Sequence, residues 1–378
     1  MTVGFKLRWI LSASVALTFL FSGCGPQPQQ PETLANHETP DTLPDRLTDQ
    51  EFWSIVTDFS EPDGQFRSDN FVSNESGYQQ TIPPLLKTVK PGGIYIGVGP
   101  EQNFTYIAAF QPKLAFIIDI RRQNLLEHLF YKAMMETSAD RAEFLSRLFA
   151  RSVKLTASPT PEMLFRAFQT ARPVRSLFDM NVRNVIGYLE RQRGFKLSDN
   201  DKAGIRYVAE AFFKSGPDLS YTASGDDVIR RMPSYSDLMT ETDGTSRNWS
   251  FLGTEDQFQA IRRLQRANLI VPLVGDFAGP KSIRMVADYA WKHQSTVRVF
   301  YTSNVEEYLF QDDRAWKLFY ANVASLPIDS SSTIIRSVLN GWKDEGHRTT
   351  FREPMETTVR VYRNGGMQRY YDVVRRSR

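Results

Sequence analysis

The chain has 378 residues, 41% of them hydrophobic and 24% charged, an ordinary globular composition with room for one large or two modest domains. Its 46 basic and 43 acidic residues leave a net charge of +3, and no basic block marks a nucleic-acid partner. A single cysteine excludes a disulfide framework, and the scattered histidines His37, His128, His293 and His347 have neither metal-ligand nor triad spacing.

The first 24 residues read as a targeting segment. Lys6 and Arg8 form a charged start, and Trp9–Ser22 is an apolar core too short to span a bilayer with ease. Leu20-Phe21-Ser22-Gly23-Cys24 follows, with the only cysteine at its end. This run resembles the lipobox of bacterial lipoproteins, which implies that Cys24 is lipidated and becomes the new N-terminus; a plain signal peptide or a single membrane anchor is the alternative. Residues 25–46 hold Pro26, Pro28, Pro31, Pro40 and Pro44 among several glutamines, the composition of a disordered tether. Anchor and tether together predict a domain held just off a membrane in the bacterial cell envelope.

From residue 47 the pattern becomes that of a folded domain. Thr48-Asp49-Gln50-Glu51 is a capping box, followed by Phe52, Ile55, Val56 and Phe59 at helical spacing. The polar stretch Glu61–Glu75 carries Arg67, Asp69, Asn70 and Asn74; it either folds over a ligand or is capped by its own side chains. A helix is expected around Tyr78–Thr88.

Residues 92–124 read as strand, tight turn, helix, strand and acid. Ile94–Val98 is a short apolar run entered from Pro-Gly-Gly, as for a strand buried on both faces. Gly97 and Gly99 close it, and Pro100 suits the first turn of a helix. Leu114–Ile120 is a second buried strand with Asp119 near its carboxyl end, twenty residues past Gly99. Glycines there let backbone approach a ligand, and an acid so placed can accept hydrogen bonds from ribose hydroxyls. The alternative is a βαβ unit whose glycines only close a turn.

A helix through Leu125, Leu129 and Met135 follows, then a helical insertion over residues 137–245 placed to roof the site. Its acidic end, Asp226-Asp227 to Asp243, has no metal-cage spacing. Thr254-Glu255-Asp256-Gln257 is a second capping box, Leu269–Phe277 a buried strand ending in Asp276, and Thr296–Tyr301 a further strand followed by Ser303, Asn304, Glu306 and Tyr308. Thr357–Tyr362 alternates like a last strand. Strands separated by helices predict an α/β fold with a doubly wound, mostly parallel, Rossmann-like sheet, split into residues 47–136 and 246–378 by the insertion.

The run IYIGVGPEQN…FIIDIRRQN resembles the first two motifs of class I methyltransferases that use S-adenosylmethionine. The wider set RSDNFVSNE, PLVGDFAGP and FYTSNVEEYL resembles an uncharacterised bacterial lipoprotein family with a methyltransferase-like fold. The resemblance implies that Gly97, Gly99, Asp119 and Arg121 hold the cofactor. Where such enzymes place an acid before the first glycine this chain has Tyr95, and Glu101 is the carboxylate on the helix side. Asp276 is implied at a fourth-strand position near the transferred methyl, with Asp276 or Glu306 as base. Arg67, Asp69, Asn70, Asn304 and Tyr308 would then face a small-molecule or envelope-borne substrate. Two readings stand side by side: methyl transfer, or a binding or scaffolding lipoprotein that keeps the fold without transfer.

Overall fold

The computed structural model describes residues 41–155, 158–222, 232–339 and 348–377. Cys24, residues 25–40 of the expected tether and the Asp226-Asp227 pair lie outside them.

The fold is mixed α/β around a six-stranded sheet. The strands are β1 (Ile94–Gly97), β2 (Leu114–Asp119), β3 (Ile270–Val274), β4 (Val297–Ser303), β5 (Thr333–Leu339) and β6 (Arg348–Pro354), in the order β3-β2-β1-β4-β5-β6. All neighbours run parallel except β5 and β6. Every residue of β1, β2 and β3 is buried, so helices cover both faces, as parallel strands require. Phe116 of β2 meets Phe59 and Tyr289, with ring centroids 6.3 and 6.0 Å away, while Phe104, Tyr131 and Phe251 stack edge-to-face elsewhere in the core. The connection from β3 to β4 carries the chain to the other side of β1, and that reversal opens a crevice at the carboxyl ends of β1 and β4.

Among the described residues of 137–245 the regular elements are helices joined by loops, apart from one isolated bridge between Arg151 and Pro173. The helix Asp199–Ser215, with its Ser198 capping box, packs on the helix Arg122–Thr137, where Phe212 lies 6.2 Å from Phe130. Gly204 allows that approach, because a Cβ there would come 2.5 Å from Leu126.

Three local expectations are corrected. The stretch Thr357–Tyr362 is not a strand but part of the helix Met355–Arg363, which buries Met355, Thr358 and Val359 on one face. Its β-branched residues fit a strand locally, but the packing of that face decides. The final strand is β6, immediately before it. The expected helix Tyr78–Thr88 is a 3-10 turn, Tyr78–Thr81, plus one helical turn, Ile82–Leu85, around Pro83-Pro84, which supply no N–H to extend it. The tether ends earlier than residue 46. Thr42 N donates to His293 O at 2.9 Å, Asp41 pairs with Lys113 at 2.7 Å, and Leu43 is buried, so apolar contact outweighs the proline content here.

Candidate functional site

The carboxyl ends of β1 to β4 form the floor of a cavity with about 850 Å³ between its walls, open solvent at the mouth included. Val98, Gly99 and Pro100 come from the end of β1, Asp119 and Arg121 from β2, Asp276 from the turn after β3, and Ser303 and Asn304 from β4. The loop supplies Phe66, Asn70, Ser73 and Asn74, the insertion supplies Tyr221, and Tyr308 closes one side.

The turn after β1 is held from beneath. Tyr95 Oη donates to Asn103 Oδ1 at 2.9 Å, and Asn103 Nδ2 donates to the carbonyls of Val98, Gly99 and Pro100 at 3.0, 3.1 and 2.7 Å. His128 Nε2 donates to Gly99 O at 2.9 Å, and burial drives that imidazole down to about 4, so it is neutral. Gly97 is small for packing reasons: a Cβ would collide with Asn103 Oδ1 and stand 2.7 Å from the Tyr95 ring. It does not line the cavity. Gly99 does, at φ 78°, with nothing within 4 Å of where a Cβ would stand.

Asp119 is buried and already fully engaged. Arg121 Nε donates to its Oδ1 at 3.0 Å and Nη2 to its Oδ2 at 3.0 Å, while the Arg121 backbone N–H donates to Oδ1 at 2.9 Å. Arg121 Nη1 reaches the carbonyls of Ser68, at 3.2 Å, and Asp69. One guanidinium thus ties the second strand to the loop.

The loop Glu61–Glu75 runs across this rim. Glu61 accepts from the backbone N–H groups of Asp276, Lys281 and Ser282 at 2.9, 2.8 and 3.0 Å, and Gly64 N donates to Ile120 O at 2.8 Å. Asn70 faces the cavity with a left-handed backbone, φ 52°. Arg67 lies outside the cavity wall; its Nη2 donates to Tyr308 Oη at 3.2 Å. Asp69 turns its carboxylate away, accepting from Tyr207 Oη and Thr222 Oγ1 at 3.0 Å each. It therefore anchors the insertion to the loop instead of facing a ligand.

Two expected roles change with the topology. The strand ending at Asp276 is the third, at the sheet edge beside β2, so the fourth-strand position falls to Ser303 and Asn304. Asp276 still lines the cavity, its Oδ1 accepting from Ala278 N at 2.9 Å. Glu306 does not reach the cavity: it is 1% exposed, ion-paired to Arg336 Nε at 2.6 Å, and accepts from Tyr320 Oη. A carboxylate so enclosed cannot act as base for a ligand in the rim. Glu101 is likewise behind the wall, its Oε1 accepting from Ser73 N at 3.3 Å, and burial raises it to about 8.

Sequence reasoning overlooked the hub under Ser303. Glu75, 1% exposed, accepts from Tyr301 Oη at 2.9 Å and from Ser303 Oγ on one oxygen, and from Gln102 Nε2 at 3.2 Å on the other. It joins the loop to β4 and to the helix Gln102–Phe110. Ser303 has φ 50°, a left-handed conformation for a non-glycine residue beside the cavity. The available signal was the serine ending a buried strand next to Asn304.

Residues 70–360 match a family model described as "Domain of unknown function (DUF7790)". No curated protein matches the sequence.

Proposed function

The chain belongs to the DUF7790 family, and from its site we propose that this member binds a nucleoside-like ligand, S-adenosylmethionine foremost, at the carboxyl ends of a Rossmann-like, methyltransferase-type sheet. In this reading the domain is held at a membrane of the bacterial envelope by a lipid on Cys24. The observation that carries the binding reading is one cavity into which four strand ends deliver Gly99, Asp119, Asp276 and Ser303 at the point where strand order reverses. Gly99 leaves room for close backbone approach, and Phe66 and Tyr308 offer apolar faces for a base.

Binding without transfer is the version favoured by the side chains. Both Asp119 oxygens are taken by Arg121, and Glu306 is committed to Arg336. A ribose would compete with Arg121 for Asp119 or accept a hydrogen bond from the guanidinium instead. Methyl transfer, the second reading, rests on Asp276 and Asn304 standing in the same cavity as acceptor-side groups.

Titration calorimetry of the detergent-solubilised full chain with S-adenosylhomocysteine tests the binding reading. Saturable binding with a Kd of about 1 mM or tighter is expected. Absence of heat and of any thermal shift at millimolar ligand removes the nucleoside reading.

A further inference from the structure

A second cavity lies in the helical insertion, at the far end of the helix Arg122–Thr137. At the rise of an α-helix it stands roughly 16–22 Å along that axis from the nucleoside cavity. It holds about 640 Å³ between its walls, open solvent at the mouth included. Its floor is apolar, with Ala133, Met134 and Val185 buried. Arg147 and Arg191 stand in its walls beside the amides of Asn184 and Gln192, and no Asp or Glu is among its described lining residues. Over an apolar floor the field of such cations is less screened than in open water.

The backbone is shaped to seat Arg191. The helix Arg175–Gly187 runs on into a π turn, Tyr188–Gln192, in which Arg193 N donates to Tyr188 O five residues back at 3.1 Å. Such turns are rare and concentrate at functional sites. Tyr188 Oη donates to Glu136 Oε2 at 2.5 Å and pins the turn from behind. A Cβ at Gly187 would stand 3.0 Å from Arg191 Cζ and closer still to Nη2, so the guanidinium lies over the bare glycine. No described residue forms a hydrogen bond or ion pair with that guanidinium. Arg147 commits Nε and Nη2 to Glu143 Oε1, at 3.1 and 2.6 Å, and its Nη1 has only a 3.4 Å contact with Thr137 Oγ1. Cations also gather at helix C-termini to serve the last carbonyls. Here Thr137 Oγ1 already donates to Ala133 O and Ser138 Oγ to Met134 O, at 2.7 Å each, so Arg191 is not needed for that.

The walls therefore offer N–H donors and positive charge in excess of their own acceptors. A free guanidinium grips an oxyanion through two parallel bonds. Arg147 Nη1 and the two amides add more donors than a carboxylate has oxygens to receive, whereas a phosphate group presents at least three. We propose that this cavity binds a phosphate group, free or as a monoester, with Arg191 as its main ligand and Arg147 as its second. The site is separate from the nucleoside cavity and does not rest on that reading. A soluble phosphate and a phosphatidic acid headgroup share this chemistry, and the test separates them.

The experiment is titration calorimetry of the detergent-solubilised full chain with inorganic phosphate at about pH 7.5, where the dianion prevails. Saturable binding with a Kd of about 1 mM or tighter is expected. Arg191→Gln, at an exposed position, is expected to weaken it at least about tenfold and to leave the melting temperature without phosphate unchanged. Gly187→Ala removes no charge and suits a helix, but its methyl takes the place of the guanidinium, so it is expected to weaken binding too. Arg183→Gln removes an exposed charge from the same helix outside the cavity and is expected to bind like the parent. Glycerol 3-phosphate and dihexanoyl phosphatidic acid carry one headgroup without and with acyl chains, with Arg191→Gln as the blank for partitioning into detergent. Equal affinity assigns the site to soluble monoesters; tighter binding of the second assigns it to a lipid headgroup. Absence of saturable binding at about 10 mM phosphate, unchanged affinity in Arg191→Gln, an equal loss in Arg183→Gln, or tighter binding of acetate than of phosphate overturns the proposal.

Discussion

Arg121 and Asp119 face each other through a two-pronged ion pair, Nε to Oδ1 and Nη2 to Oδ2 at 3.0 Å each, with side chains only 7% and 5% exposed. The third edge of the guanidinium holds the loop carbonyls at Ser68 and Asp69. The residue best placed to meet a ligand is thereby also the latch of the loop over the cavity. Removing one member strands a buried charge. Arg121→Ala or Asp119→Ala is expected to cost about 3–5 kcal/mol in urea unfolding. The double variant should cost less than the two together, with a coupling of about 2 kcal/mol. Simple additivity would show that the pair contributes nothing as a unit.

The pH profile of stability follows from buried groups of opposite sign. Burial raises Glu101 to about 8 and Glu241 to about 7, and lowers His128 to about 4. The acids contribute stability that is complete below their ordinary value of 4.5 and is lost as pH climbs through 7 to 8. His128 contributes stability that is present above 6.5 and lost as pH falls toward 4. The two oppose each other in mildly acidic solution, and above pH 6.5 the acids alone act. The unfolding free energy should therefore fall between about pH 6.5 and 8, by up to roughly 1.4 kcal/mol per pH unit for each proton released on unfolding, and the melting temperature with it. Glu101→Gln should flatten that decline; an unchanged slope in the variant would sink the assignment.

Glu306 is a structural acid in this account. Arg336 joins it at 2.6 Å and Glu353 at 2.8 Å, with all three side chains at most 2% exposed. Arg336→Ala leaves Glu306 without its cation and Glu353 with only Arg376, at 3.5 Å, and is expected to cost about 3–5 kcal/mol, a loss readable in thermal melts. Glu306→Gln should lower the melting temperature and leave S-adenosylhomocysteine affinity unchanged. A tenfold change in affinity at full folding would return Glu306 to the site.

Gly97 and Gly99 should respond differently to the same added methyl group. At Gly97 the Cβ meets Asn103 and Tyr95, so Gly97→Ala is expected to destabilise by about 1–3 kcal/mol and to disturb the turn. At Gly99 the Cβ meets open space, and only the φ of 78° resists it, so Gly99→Ala should cost about 1–2 kcal/mol. Its methyl stands at the cavity floor and should weaken ligand binding. Denaturation and calorimetry on both variants separate the effects; equal behaviour in both assays contradicts the assignment.

Cys24 tests the membrane reading. It is the only cysteine, set between an apolar segment and a proline-rich stretch. Cys24→Ser should accumulate unprocessed precursor and lose detergent-phase partitioning. A variant that is processed and partitions like the parent rules out lipidation.

What the sequence determined by itself is local. Buried apolar runs bounded by Pro-Gly-Gly, Gly-Pro and capping boxes place β1 to β4 and the helices after them, because strand and turn preferences act over a few residues. A mostly parallel α/β sheet follows from their alternation, and so does the position of Asp119 and Asp276 at strand ends. What only the tertiary structure decided is which partner each charged group finds. Arg336 lies thirty residues beyond Glu306, and nothing local says that this glutamate points inward to it. Asp69 turns to Tyr207 and Thr222, more than a hundred residues away, for the same reason. The order of the strands, which moves the fourth-strand position from Asp276 to Ser303, is likewise set by which apolar faces pack together. A carboxylate's role depends on its neighbours in space, and those neighbours are chosen by packing across the whole sheet.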